Sequence, residues 1–148
     1  MKYHDALKLV RAMIDKASSL LTIVTLLALS ACATTDSSIE KSRYSMVDAT
    51  TAKTLHERDA VFIDLRLRSL FDQGHIPGAI NIPVNHFNNN TLTEAVSKDQ
   101  EIVIYCYGMH CEYSNQASNK ALTWGYRKVY YFMKGYPAWL DAGYPTES

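Results

Sequence analysis

The stretch Ile102–Ser114, reading Ile-Val-Ile-Tyr-Cys-Tyr-Gly-Met-His-Cys-Glu-Tyr-Ser, constrains this chain more than any other. Ile102–Tyr105 is a short unbroken apolar run bounded by a glycine-containing loop, the pattern of a strand covered on both faces. Cys106 stands where that strand ends. Beyond the loop, Ala117, Ala121 and Leu122 recur at helical spacing, which predicts a helix over Asn115–Trp124 with Ser114 as its N-cap. A cysteine between a strand's C-terminal end and a helix N-terminus faces converging backbone N–H groups and the positive end of the helix dipole. Both stabilise the thiolate, the reactive form of cysteine. Open α/β sheets also place their ligands at this edge. Cys106 therefore reads as a nucleophile.

Elsewhere, short apolar runs and helical stretches alternate. Asp48 reads as the N-cap of a helix over Ala49–Arg58, and Ala60–Ile63 as a second buried strand ending at Asp64. A helical turn is expected at Ser69–Gln73, a turn cluster at Gly74–Ala79 and a strand at Ala79–Ile82, stopped by Pro83. Asn88-Asn89-Asn90 marks a loop tip, and Thr91–Ser97 reads as a short helix. Gly125 closes the helix after the cysteine loop, and Val129–Phe132 is a further strand. Pro137 suits the first position of a last helix that Gly143 ends. Strands alternating with helices at this pace indicate an α/β fold, a mostly parallel sheet with helices on both faces. The 148 residues, 47% of them hydrophobic, allow one compact domain with an adequate core. Fifteen basic residues balanced by fifteen acidic ones give no electrostatic footprint for nucleic acid, so none is expected as a partner.

The amino-terminal segment stands apart. Met1–Lys16 carries Lys2, Lys8, Arg11 and Lys16, and Ala17–Ala31 has no charge, the layout of a secretory signal peptide. The apolar stretch ends in Leu29-Ser30-Ala31-Cys32, which resembles the lipobox of bacterial lipoproteins. The resemblance implies a signal peptide over 1–31 and cleavage before Cys32. Cys32 then becomes the lipidated first residue of a tether over 32–45, followed by a domain over 46–146. It places the domain in the bacterial cell envelope, on the periplasmic side, lipid-anchored, with the outer membrane favoured because Ala33 follows Cys32. An uncleaved anchor is the alternative, since Ala17–Thr35 is nearly the ~20 residues that span a bilayer. In either case the domain lies where cysteines tend to be oxidised.

Several separated motifs resemble a single-domain rhodanese of the sulfurtransferase superfamily. Val61-Phe62-Ile63-Asp64-Leu65-Arg66 is similar to the family's strand ending in Asp-x-Arg. Phe71-x-x-Gly74-His75-Ile76-Pro77-Gly78-Ala79 is similar to its Gly-His-Ile-x-Gly-Ala segment. Ile102–Cys106 matches the strand leading into the catalytic cysteine, and Gly135-Tyr136-Pro137-Ala138-Trp139 the closing Gly-x-x-x-Trp helix. The resemblance implies a three-layer fold with a central sheet of about five strands. It also implies an enzyme in which Cys106 carries a sulfane sulfur as a persulfide, from a small sulfur-containing donor to a thiol or cyanide acceptor, without a cofactor. The substrate loop then comprises Tyr107, Gly108, Met109, His110, Cys111 and Glu112, with Asp64 and Arg66 as a supporting ion pair near the site.

The loop departs from the common family pattern, in which arginine directly follows the cysteine. Here Tyr107 takes that place, and the loop is similar to a smaller subgroup with a Cys-x-Gly-x-x-Cys pattern. Weak thiosulfate activity is therefore expected, because thiosulfate is a dianion and the loop offers little positive charge unless Arg66 reaches it. Phosphatase chemistry is excluded by Glu112, which stands six positions after the cysteine where related phosphatases carry an arginine. Three alternatives stay open. Cys106 and Cys111 suit thiol–disulfide exchange; with Met109 and His110 they also form a set of soft ligands for Cu(I). The third is a non-catalytic binding module that meets a periplasmic protein partner. His75 reads as a hydrogen-bonder in its turn, and Trp139 as core.

Overall fold

The computed structural model of the protein describes residues 43–108 and 111–148. The predicted signal peptide, Cys32 and nearly all of the tether fall outside these residues, as do Met109 and His110. In chain order the elements are β1 (Ser45–Val47), α1 (Ala49–His56), β2 (Val61–Asp64), α2 (Arg68–Phe71) and β3 (Ile80–Asn81). They continue with α3 (Asn89–Ala95), β4 (Glu101–Tyr105), α4 (Glu112–Thr123), β5 (Lys128–Phe132) and α5 (Gly135–Asp141). The five strands form one sheet in the order β1-β5-β4-β2-β3, and every pairing is parallel. Among the described residues no helix is long and apolar enough to cross a membrane.

β4 lies at the centre, which accounts for its unbroken apolar sequence. Ile102, Val103, Ile104 and Tyr105 are all fully buried, each stabilising the fold by about 1.5–3 kcal/mol relative to an exposed side chain. The pleat sends alternate residues to opposite faces. Val103 and Tyr105 join the core beneath α1 and α5, with Phe62, Phe132 and Trp139. Ile102 and Ile104 join the core beneath α3 and α4, with Ile63, Leu92, Ala117 and Ala121. Cys106 continues the alternation on that second face. Trp139 is fully buried and donates from Nε1 to the Pro145 carbonyl at 2.7 Å.

Caps explain where several helices begin. The Asp48 carboxylate accepts from the Thr51 amide at 2.8 Å, so α1 starts at Ala49 as predicted. That hydrogen bond holds the Asp48 carboxyl below its ordinary range. Asn88 caps α3 by accepting from Asn90 and Thr91, while Thr91 Oγ1 accepts from the Asn88 amide. This reciprocal capping box draws Asn89 and Asn90 into the helix, two residues earlier than the expected start. The last helix begins at Gly135, which puts Pro137 third rather than first. α2 covers Arg68–Phe71 rather than Ser69–Gln73. Ser45, assigned to the tether, is the first residue of β1, an edge strand held by pairing with Tyr130–Phe132. Tyr44 beside it packs edge-on against Tyr131 at 5.6 Å between centroids.

Candidate active site

Cys106 leaves β4 at the C-terminal edge of the sheet and is 8% exposed. It lines an open cavity of about 600 Å³ with Leu65, Leu70, Val84, Tyr107 and Cys111. That volume is ordinary for a small-molecule site. Leu67, Tyr107 and Tyr113 stand at its rim and are each more than half exposed.

Cys106 and Cys111 are joined as a disulfide, with their Cα atoms 6.3 Å apart, a normal separation for such a bond. The Cys111 amide donates to the Gly108 carbonyl at 2.9 Å. Cys111 is also the N-cap of α4, which starts at Glu112 and runs twelve residues. This corrects the expected start: Ser114 is not the cap but lies inside the first turn, 1% exposed, its hydroxyl donating back to the Cys111 carbonyl at 3.1 Å. The helix thus starts three residues sooner than the capping signal suggested. Glu112 is consequently an exposed residue of α4 that does not line the cavity, whereas Tyr107 and Gly108 do.

A glycine on another element fixes the loop from behind. The Tyr136 amide donates to the Cys106 carbonyl at 3.0 Å, which draws the start of α5 against the loop. Gly135, with φ of +58°, permits that approach: a Cβ there would overlap the Cys106 carbonyl oxygen and come within 3.0 Å of the Gly108 nitrogen. Gly135→Ala is expected to cost about 1–3 kcal/mol through strain. Thermal unfolding of the variant beside wild type checks it.

Arg66 reaches the cavity wall but is already engaged. Its Nε and Nη2 donate to the Asp64 carboxylate at 2.9 and 2.7 Å, Nη2 donates to the Gly74 carbonyl at 2.8 Å, and the guanidinium lies 4.0 Å over the Tyr136 ring. Asp64 is fully buried and Arg66 is 4% exposed. The pair organises the floor of the site and leaves little net charge for a substrate. Tyr105 supplies no base: burial, and after it the Asp64 carboxylate, push its phenol far above the ordinary range. His75 serves the neighbouring turn, its Nδ1 donating to the Phe71 carbonyl at 2.9 Å and its ring stacked on Phe71 at 3.6 Å. Among the described residues no group of three or more His, Cys, Asp or Glu side chains could hold a metal ion.

Residues 48–142 match the family model for the rhodanese-like domain. The chain belongs to the rhodanese-like family. It is 30% identical over 100 residues to the thiosulfate sulfurtransferase GlpE of Pseudomonas savastanoi pv. phaseolicola, covering 66% of this chain and 87% of that one. It is 36% identical over 101 residues to the HTH-type transcriptional regulator Rv0324 of Mycobacterium tuberculosis, covering 66% of this chain and 43% of the regulator. The chain spans less than two thirds of the length of several curated relatives. The crystal structure of the Alr3790 protein from Anabaena sp. is 30% identical and covers 69% of this chain and 81% of that one, with a TM-score of 0.62. The expected three-layer rhodanese-like fold is therefore the fold of this chain.

Leu65, Leu67, Leu70, Val84 and Tyr113, which form half of the cavity's wall, were not among the residues expected there. The one available signal was the alternation of the strand ending at Asp64, which carries Leu65 to the face of Cys106.

Proposed function

We propose that this rhodanese-like protein is a sulfurtransferase whose Cys106, once freed from Cys111 by reduction, carries a sulfane sulfur. The observation supporting it is the position of Cys106, at the end of the central strand and in the wall of a cavity large enough for a small donor. The Cys106 thiolate attacks the outer sulfur of the donor, forming an S–S bond. The donor's own bond to that sulfur breaks, and its remainder leaves with the electron pair, as sulfite when the donor is thiosulfate. An acceptor thiolate then takes the sulfur and restores Cys106. Exported and lipid-anchored through Cys32, as the leader supports, the domain works in an oxidising compartment where the disulfide is its resting form.

The wall supports an apolar donor. Among its described residues Arg66 is the one cation, and Asp64 neutralises it. An aryl thiosulfonate delivers the same sulfur while laying its ring against Leu65, Leu70 and Val84. Burying a ring of that size is worth about 1.5–3 kcal/mol, or roughly ten- to a hundredfold in kcat/KM over thiosulfate. Steady-state transfer to cyanide by the pre-reduced protein measures the ratio, and intact mass after each donor shows the gain of one sulfur. An equal or lower value for the aryl donor sinks the preference; no gain with either donor sinks the transferase.

A further inference from the structure

We propose that Cys111 is a resolving cysteine, through which the site discharges its sulfur as hydrosulfide. This rests on the sulfurtransferase reading above.

Three observations meet at Cys111. Its sulfur is bonded to that of Cys106, and the backbone holds the two residues at a normal disulfide separation, 6.3 Å between Cα atoms. In a persulfide the atom bonded to the Cys106 Cβ is that same inner sulfur. A thiolate at Cys111 therefore attacks an atom that the fold already brings within its bonding reach. Both cysteines line one cavity of about 600 Å³, which gives the displaced outer sulfur a way out. Cys111 is also the N-cap of a twelve-residue helix, which fixes it at the mouth of the loop that Cys106 opens. The Gly108 carbonyl and the Ser114 hydroxyl hold its backbone at that place.

The step balances within the protein. The Cys111 thiolate forms a bond to the Cys106 sulfur of Cys106–S–SH, the bond to the outer sulfur breaks, and HS⁻ leaves with the electron pair. The sulfane sulfur is reduced to sulfide, and the two cysteine sulfurs are oxidised to the disulfide seen here. One turnover needs no external reductant. Each further turnover needs a dithiol that reopens Cys106–Cys111 by exchange. The domain is thereby a sulfane-sulfur reductase as well as a carrier.

The test is a single turnover on the full chain. Protein is reduced, freed of reductant under anaerobic conditions and incubated with excess thiosulfate, and sulfite and sulfide are assayed separately. Peptide mapping distinguishes Cys106 and Cys111 from Cys32. Wild type is expected to release one sulfite and one sulfide per chain and to end with Cys106 bonded to Cys111. Cys111→Ser, with Cys111→Ala beside it in case one variant folds poorly, is expected to release sulfite, keep the sulfur on Cys106 and yield less than a tenth of the sulfide. Wild type that keeps its sulfur, or sulfide that persists in both variants, overturns the resolving role while leaving the transferase intact. Protein that releases no sulfite in wild type or either variant overturns both.

Discussion

Cys106→Ser is expected to abolish sulfur uptake from every donor, to below a thousandth of the wild-type rate. A hydroxyl remains protonated at neutral pH and is a poor nucleophile toward sulfur, whereas the thiolate of a cysteine is a strong one. Intact mass after exposure to thiosulfate and to an aryl thiosulfonate reads the outcome directly. The comparison belongs in reductant, because the Cys106–Cys111 disulfide closes a loop of about six residues and adds roughly 2 kcal/mol of its own in the chain-entropy account. A folded serine variant that still gains sulfur would place the carrier on another residue.

The largest stability effect is expected at the other end of the site. Asp64→Ala leaves the Arg66 guanidinium buried without its carboxylate, retaining only the Gly74 carbonyl and the Tyr136 ring. Breaking a buried pair from one side costs about 3–5 kcal/mol. For a domain of this size that lowers the unfolding midpoint by about 12 °C or more. Asp64→Leu combined with Arg66→Met removes both charges and is expected to recover most of the loss, although the cavity floor then loses its anchor to Gly74. Urea unfolding of the three proteins separates these terms. An Asp64→Ala loss under about 1 kcal/mol would mean that the guanidinium finds water through the cavity it borders.

The strands and helices next to β4 were legible because their signals are local. Ile102–Tyr105 is apolar without a break since the central strand is covered on both faces, and Asp48 caps α1 through a contact three residues away. β1 left no such trace. It is three residues long, two of them exposed, and exists because Tyr130–Phe132 offer it an edge. Ser114 carries the capping chemistry of a helix start, yet the helix begins at Glu112 with the disulfide-bonded Cys111 as its N-cap. The site was half legible for the same reason. Cys106, Tyr107, Gly108 and Cys111 are contiguous, whereas Leu70, Val84 and Gly135 reach the cavity or its loop from three other segments. Arg66 shows the limit most clearly. Its pairing with Asp64 was expected from the motif, whereas only the positions of Gly74 and Tyr136 reveal the further contacts that hold it.

The alternation along β4 makes the location of the reactive sulfur a matter of parity. Cys106 lies two residues from Ile104 and four from Ile102, and so shares their side of the sheet. Inserting one residue between Val103 and Tyr105, or deleting Ile104, would turn the thiol toward the Trp139 side and carry Tyr105 to the cavity side, with the composition of the strand almost unchanged. Length changes by two would keep the thiol on the α4 side and merely move it along the rim. In this architecture, odd and even indels in the central strand are different kinds of mutation.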